Sequence, residues 1–281
     1  MKKTLAVAVL ATLSQPALAA LKLTTYNPQE KAIFPVSSTL ISGKKEAILF
    51  DAQFSTTEGK ALVELIRQSG KELTTVYITG GDPDFYFGLQ PIVEAFPQVK
   101  IKATATIVDH INHTKDQKIG YWGPILGEGA PSQLYVPEVY NGDILLEGEK
   151  IELKEAGTHN AYYWIPSLKT ALGGVSTYSG IHVWMADSQT QVDRLAWVES
   201  LERMKQLKPK RVIPGHYLGD IPTKVDAVNF TQQYVKNWDH FVTQSSDSKQ
   251  LIEKITTQYP QLAVDDGVTI GAKVSMGEMK W

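Results

Sequence analysis

Two acids stand two residues apart in Thr79-Gly80-Gly81-Asp82-Pro83-Asp84-Phe85-Tyr86-Phe87-Gly88. Carboxylates on a Gly/Pro-rich loop can ligate a cation or accept a proton from water. The same residues are ordinary turn formers, so the loop alone also permits a plain turn. Two histidines occupy comparable places, His159 in Gly157-Thr158-His159-Asn160 and His216 in Pro214-Gly215-His216-Tyr217. A hydrolytic zinc site needs three protein ligands and an open position for water, and Asp84, His159 and His216 are of the right types. Each histidine taken singly is more often structural. The weight comes from their shared setting: all three segments follow expected strands, and α/β folds gather binding groups at carboxyl strand ends. Asp109-His110-Ile111-Asn112-His113 reads as the polar surface of a helix. His182, in a run of apolar residues, reads either as a buried structural group or as a residue at the site mouth. Phe85, Tyr86, Phe87, Trp122, Tyr162, Tyr163, Trp164 and Trp184 suit core packing or a pocket lining.

The elements that must position these groups alternate. Residues 32–36, 39–41 and 47–50 read as strands, the last ending at Asp51. Residues 57–69 have helical periodicity, with Leu62, Leu65 and Ile66 on one face. Strands are expected at 75–78 and 99–103, with a helix over 88–96 between them; a βαβαβ order implies parallel pairing. The Gly and Pro content of 118–134 reads as a long loop, followed by strands from about 133 to 184. From Ser188 the chain returns to helix, where Val192, Leu195, Val198, Leu201 and Met204 recur at helical spacing. A strand at 211–214 precedes a helical tail around 225–242 and 248–259.

Taken in order, the acid closing an early strand (Asp51), the loop Thr79…Asp82-x-Asp84…Gly88, the later Gly-Thr-His159 and the final Pro-Gly-His216 resemble the metallo-β-lactamase superfamily over roughly residues 30–220. Thr79, Asp84 and Gly88 match its signature Thr-His-x-His-x-Asp-His-x-x-Gly, while Gly80, Asp82 and Phe85 stand at the histidine positions. The family's bridging aspartate falls near Gly174 or Val175, where there is no carboxylate. The resemblance implies an α/β fold, an αββα sandwich of two mixed sheets with outer helices, here a single domain over residues 20–281 with a helical C-terminal extension. It implies metal ligation by Asp84, His159 and His216, with Asp82 as a fourth ligand and Asp51 supporting the site from behind; His182, outside the family's usual set, is an additional candidate to replace a lost ligand. One divalent metal, zinc, would then activate water against a small ester, lactone or amide, with Asp82 or Asp84 taking the proton. The missing histidines leave open a second reading, a metal-free ligand-binding or accessory protein on the same fold.

Composition bounds the rest. The chain has 281 residues, 43% hydrophobic and 21% charged, which is ordinary for a globular protein. It contains no cysteine, which excludes disulfides, thiolate metal sites and thiol nucleophiles. Lys2 and Lys3, the apolar run Leu5–Leu13 and Ala17-Leu18-Ala19 read as a signal peptide over residues 1–19, giving a secreted or periplasmic product. The expected mature chain has 26 basic and 30 acidic residues, a net charge of -4. That charge gives no cause to expect nucleic acid as a partner. No later apolar run is long enough for a membrane span, so the expected partner is a small molecule.

Overall fold

The computed structural model describes residues 20–263 and 265–281; the expected targeting segment over residues 1–19 lies outside them. The first half of the chain runs β1 (Lys22–Tyr26), β2 (Ser38–Ser42), β3 (Glu46–Phe50), α1 (Thr56–Ser69), β4 (Glu72–Ile78), α2 (Pro83–Tyr86), α3 (Leu89–Ala95), β5 (Lys100–Ala103), α4 (Ala105–Leu126) and β6 (Glu138–Val139). Its six strands form one sheet in sequence order, antiparallel from β1 to β3 and parallel from β3 to β6. The second half runs β7 (Ile144–Leu146), β8 (Glu149–Lys154), β9 (Tyr162–Ile165), β10 (Thr170–Leu172), β11 (Tyr178–Ser179), α5 (Gln191–Gln206), β12 (Arg211–Ile213), β13 (His216–Tyr217), α6 (Asp226–Thr243), α7 (Ser248–Gln258) and α8 (Asp266–Ser275). Here the sheet order is β12-β10-β9-β8-β7, and β11 pairs separately with β13.

Strand alternation builds the layers. Successive side chains of a strand face opposite sides, so Leu40, Leu49, Val76 and Ile78 pack under α1, α3 and α4, while Ile41, Ile48, Phe50 and Tyr77 face the other sheet. The second sheet mirrors this. Tyr163, Ile165, Leu172 and Ile213 face inward, and Tyr162, Trp164, Ala171 and Val212 pack against the helices from α5 onward. Three apolar layers therefore separate helix, sheet, sheet and helix, the αββα sandwich expected from the sequence.

Several elements differ from expectation. The segment 118–134 is not all loop: α4 continues to Leu126 with Pro124 inside its last turn. Ile107, Val108 and Ile111 are buried on that helix, and Ile119, Trp122 and Leu126 extend the same apolar stripe. Thr104 caps the helix by accepting from the Ile107 amide at 3.4 Å. Of residues 32–36, only Val36 pairs, in a single bridge to His216. The polar strand β1, which has no apolar alternation, was not expected and forms against β2. Helix α5 buries Arg194, Trp197, Ser200, Leu201 and Met204, leaving Val192 and Leu195 outside. Its orientation is fixed by polar contacts: Trp197 Nε1 donates to the Ser176 carbonyl at 3.0 Å, and Arg194 Nη2 pairs with Asp239 at 2.8 Å.

At their carboxyl ends the two sheets are tied through the Thr79 side chain. Asp51, in left-handed backbone at φ 63°, accepts from the Thr79 amide at 2.7 Å and from the Thr79 hydroxyl at 2.6 Å. The same hydroxyl accepts from the Gly174 amide at 2.6 Å, beyond the end of β10. Gly174 has φ +73°, a conformation that side-chain-bearing residues rarely adopt. Thr79→Val removes both links and leaves buried partners unpaired, so stability should fall by about 2–4 kcal/mol in urea unfolding. Burial pushes the Asp51 carboxyl up to about 8 despite the Thr79 bonds that oppose it. The native state thus holds this proton more tightly than the unfolded chain, a contribution fully present below about pH 4 and lost as pH rises through about 8. Asp51→Asn should flatten that decline.

Candidate functional site

The loop after β4 and the short helix α2 set the site. Asp82 stands at the N-cap of α2 and Pro83 at its first turn, where the fixed φ of proline suits helix entry. The helix is held against the segment that follows β3: Ala52 donates to the Phe85 carbonyl at 2.7 Å, and Gly88 donates to the Gln53 carbonyl at 2.9 Å. This turns Asp84, Phe85 and Tyr86 into the interior, all buried.

Asp84 meets His216. The Asp84 Oδ2–His216 Nε2 distance is 2.6 Å, and both side chains are buried. His216 is delivered by β13, whose partner β11 places Tyr178 directly beside it. The Tyr178 ring stacks on the imidazole at 5.1 Å and 6°, and the Phe85 ring meets it edge-on at 5.4 Å. Burial pushes the Tyr178 phenol far above its ordinary range, reinforced by the charge of Asp84. Among the described residues nothing bonds His216 Nδ1. The result is a buried acid–imidazole pair clamped between aromatic rings.

Asp82 faces elsewhere. Its carboxylate pairs with the Lys118 ammonium from α4, and His110 Nε2 lies 3.7 Å away. Lys118 Nζ is also 2.9 Å from His110 Nε2. Loss of solvent would push the Asp82 carboxyl up, but the Lys118 ammonium paired with it outweighs this and holds it below the usual carboxylate range. His159 lies exposed on the loop after β8, its ring 5.8 Å from that of His110. The structure therefore brings Asp84 to His216, and separately Asp82 to Lys118 and His110 with His159 beside them. His182 joins neither group. It is buried against α6, with Nδ1 2.9 Å from the Tyr234 hydroxyl, and burial pulls its imidazole toward the neutral form. Residues 181–187 form no regular strand, and His182 stands in the irregular segment after β11. Asp51 reaches the site only through Thr79. Sequence reasoning missed Lys118, which lies 36 residues from Asp82 in no motif, and took His110 for a surface group.

Comparison with known proteins fits this geometry. The pattern of the metallo-beta-lactamase superfamily matches residues 33–216. Among solved structures, the DIM-1 metallo-beta-lactamase is similar at TM-score 0.54 and 19% identity, covering 77% of this chain and 92% of that one. A metallo-beta-lactamase from Pontibacter korlensis gives TM-score 0.52 and 16% identity, covering 80% and 97%. TMB-1 gives 0.51 and 18%, covering 77% and 92%. No curated protein matches. At these identities the solved structures speak for the fold, while the family pattern spans most of the chain. This chain belongs to the metallo-beta-lactamase superfamily. Membership suggests a metal-dependent hydrolase, since the superfamily generally binds divalent metals, typically zinc.

The residues present do not fit that metal. Among the described residues no three His, Asp or Glu side chains are grouped to hold an ion, whereas a catalytic zinc takes three protein ligands. Asp84 and His216 spend their facing atoms on each other, Asp82 is paired with an ammonium, and His159 stands apart. Phe85 fills a ligand position with an apolar ring, and Gly80 accommodates it: a Cβ on Gly80 would overlap that ring. Gly80→Ala should cost about 1–3 kcal/mol by overpacking. In a Phe85→Val background the same change should cost clearly less, a coupling read from a double-mutant cycle of urea unfolding.

Proposed function

We propose that this chain is an exported, metal-free member of the superfamily that binds a small molecule at the carboxyl strand ends, as a ligand-binding or accessory protein. One observation carries this reading: the two family ligands that do come together, Asp84 and His216, are hydrogen-bonded to each other at 2.6 Å inside an aromatic clamp. Inserting a metal means breaking a buried charge-assisted bond with no third ligand to repay it. Export is supported by the basic, apolar and small-residue pattern of residues 1–19. The groups available to a ligand on this face are the partly exposed Lys118 and His110 and the exposed His159. Such groups suit a small polar molecule carrying a carbonyl or anionic oxygen.

A second reading is a hydrolase of a small ester, lactone or amide with one divalent metal. It is favoured by the convergence of Asp84 Oδ2 and His216 Nε2, atoms of the types that ligate zinc, together with the unbonded His216 Nδ1 among the described residues. Elemental analysis of protein purified without chelator separates the two, combined with an ester and lactone screen with added zinc. The expected outcome is substoichiometric metal and no turnover. About one metal per chain, with turnover that follows metal content and is lost in His216→Ala, would establish the hydrolase instead.

A further inference from the structure

We infer that Lys118 is a built-in cation that takes the place of a metal ion at Asp82 and His110, and that its ammonium keeps divalent ions out of this pocket. The inference rests on the metal-free reading above and supplies its cause.

The geometry is that of an occupied cation site. Asp82 Oδ1 and His110 Nε2 lie 3.7 Å apart, and one ammonium contacts both. Those are the atoms with which a carboxylate and an imidazole would ligate a metal. The His110 lone pair that accepts from Lys118 is thereby spent. The position is prepared on three sides. Lys118 follows His110 by eight residues on α4, and helical side chains lean toward the N-terminus, which carries the long lysine stem back to the imidazole. Gly81 permits the approach from the opposite side: a Cβ there would fall 2.6 Å from His110 Cδ2. His159 closes the third side, edge to face with His110 at 5.8 Å.

Charge explains the exclusion. Asp82 requires a cation, and a covalently attached ammonium is present at high effective concentration whatever the metal supply. A divalent ion entering here must displace the ammonium from both partners and then sit close to its positive charge in a partly desolvated place. Lysine is a compact cation with three donors, so after Asp82 and His110 one N–H remains. With the side chain 18% exposed, that donor can reach a ligand's carbonyl or carboxylate oxygen.

The test uses the full mature chain and zinc ions alone, followed by titration calorimetry and by competition with a zinc-indicator dye, with circular dichroism to verify folding. The wild type should take up no stoichiometric zinc. Lys118→Ala frees Asp82 Oδ1 and His110 Nε2, and with the exposed His159 completing three ligands it should gain about one zinc per chain, with a Tm that rises with added zinc while that of the wild type does not. Lys118→Arg, which keeps a cation, should gain none. Lys118→Ala combined with Asp82→Asn should lose the gained site. If Lys118→Ala is folded and binds no zinc, the inference fails while the metal-free reading stands. If the wild type binds zinc as well as Lys118→Ala does, both fail.

Discussion

The hydroxyl of Thr79 is the joint on which the two halves of this molecule turn. It donates to Asp51 at the end of β3 and accepts from Gly174 beyond β10, so one oxygen atom links the first sheet to the second. Much of what builds the Asp84–His216 pair follows within a few residues of this link. Asp82 and Asp84 leave the same strand end, Gly174 lies where the chain turns toward β11, and β11 carries Tyr178 to His216. A packed inter-sheet core would hold the sheets together without this link, because apolar burial is non-directional. It would not fix their carboxyl ends to hydrogen-bond tolerance. The short directional contacts do that, and their burial makes them strict.

On this frame the chain places two polar groupings of different character. Asp84 and His216 are sealed, stacked by Tyr178 and edged by Phe85. Asp82, Lys118 and His110 are partly open, with His159 outside them. In the superfamily as the sequence signature describes it, the positions of Asp82, Asp84, His159 and His216 would serve metal ions. Here each grouping is electrically satisfied from within, one by an acid–imidazole hydrogen bond and the other by a lysine. Substitutions at single positions do not explain this. Phe85 is accommodated by Gly80, and His110 comes close because residue 81 is also glycine.

The alternating order of strands and helices was legible in the sequence and the family resemblance carried it to the layered sandwich; in the structure Leu49 and Phe50, Val76 and Tyr77, and Ala171 and Leu172 each divide between two cores. Where polar contacts override periodicity, the reading failed. Helix α5 follows Trp197 and Arg194 rather than Val192 and Leu195, since a buried indole and guanidinium must reach named partners. Helix α4 was shortened on paper by its glycines and Pro124, which its apolar stripe and Thr104 cap outweigh. At the site, the meeting of Asp84 with His216 was legible as strand-end chemistry. Lys118 was not, because a lysine on a helix has no local pattern that distinguishes a solvated cation from one aimed at a carboxylate. His159 carried the right motif, yet its side chain lies outside the pair that the motif suggested.

Gly174 carries a consequence for engineering. Its backbone is left-handed, and a side chain there would run into the Ala161 carbonyl. A carboxylate therefore does not fit at this position in the present backbone. The surrounding loops have to move first, and the amide that moves is the one bound to Thr79. Gly174 thus locks the carboxyl ends of the two sheets: a side chain at this residue is accommodated only by moving the loops that carry Ala161 and Thr79.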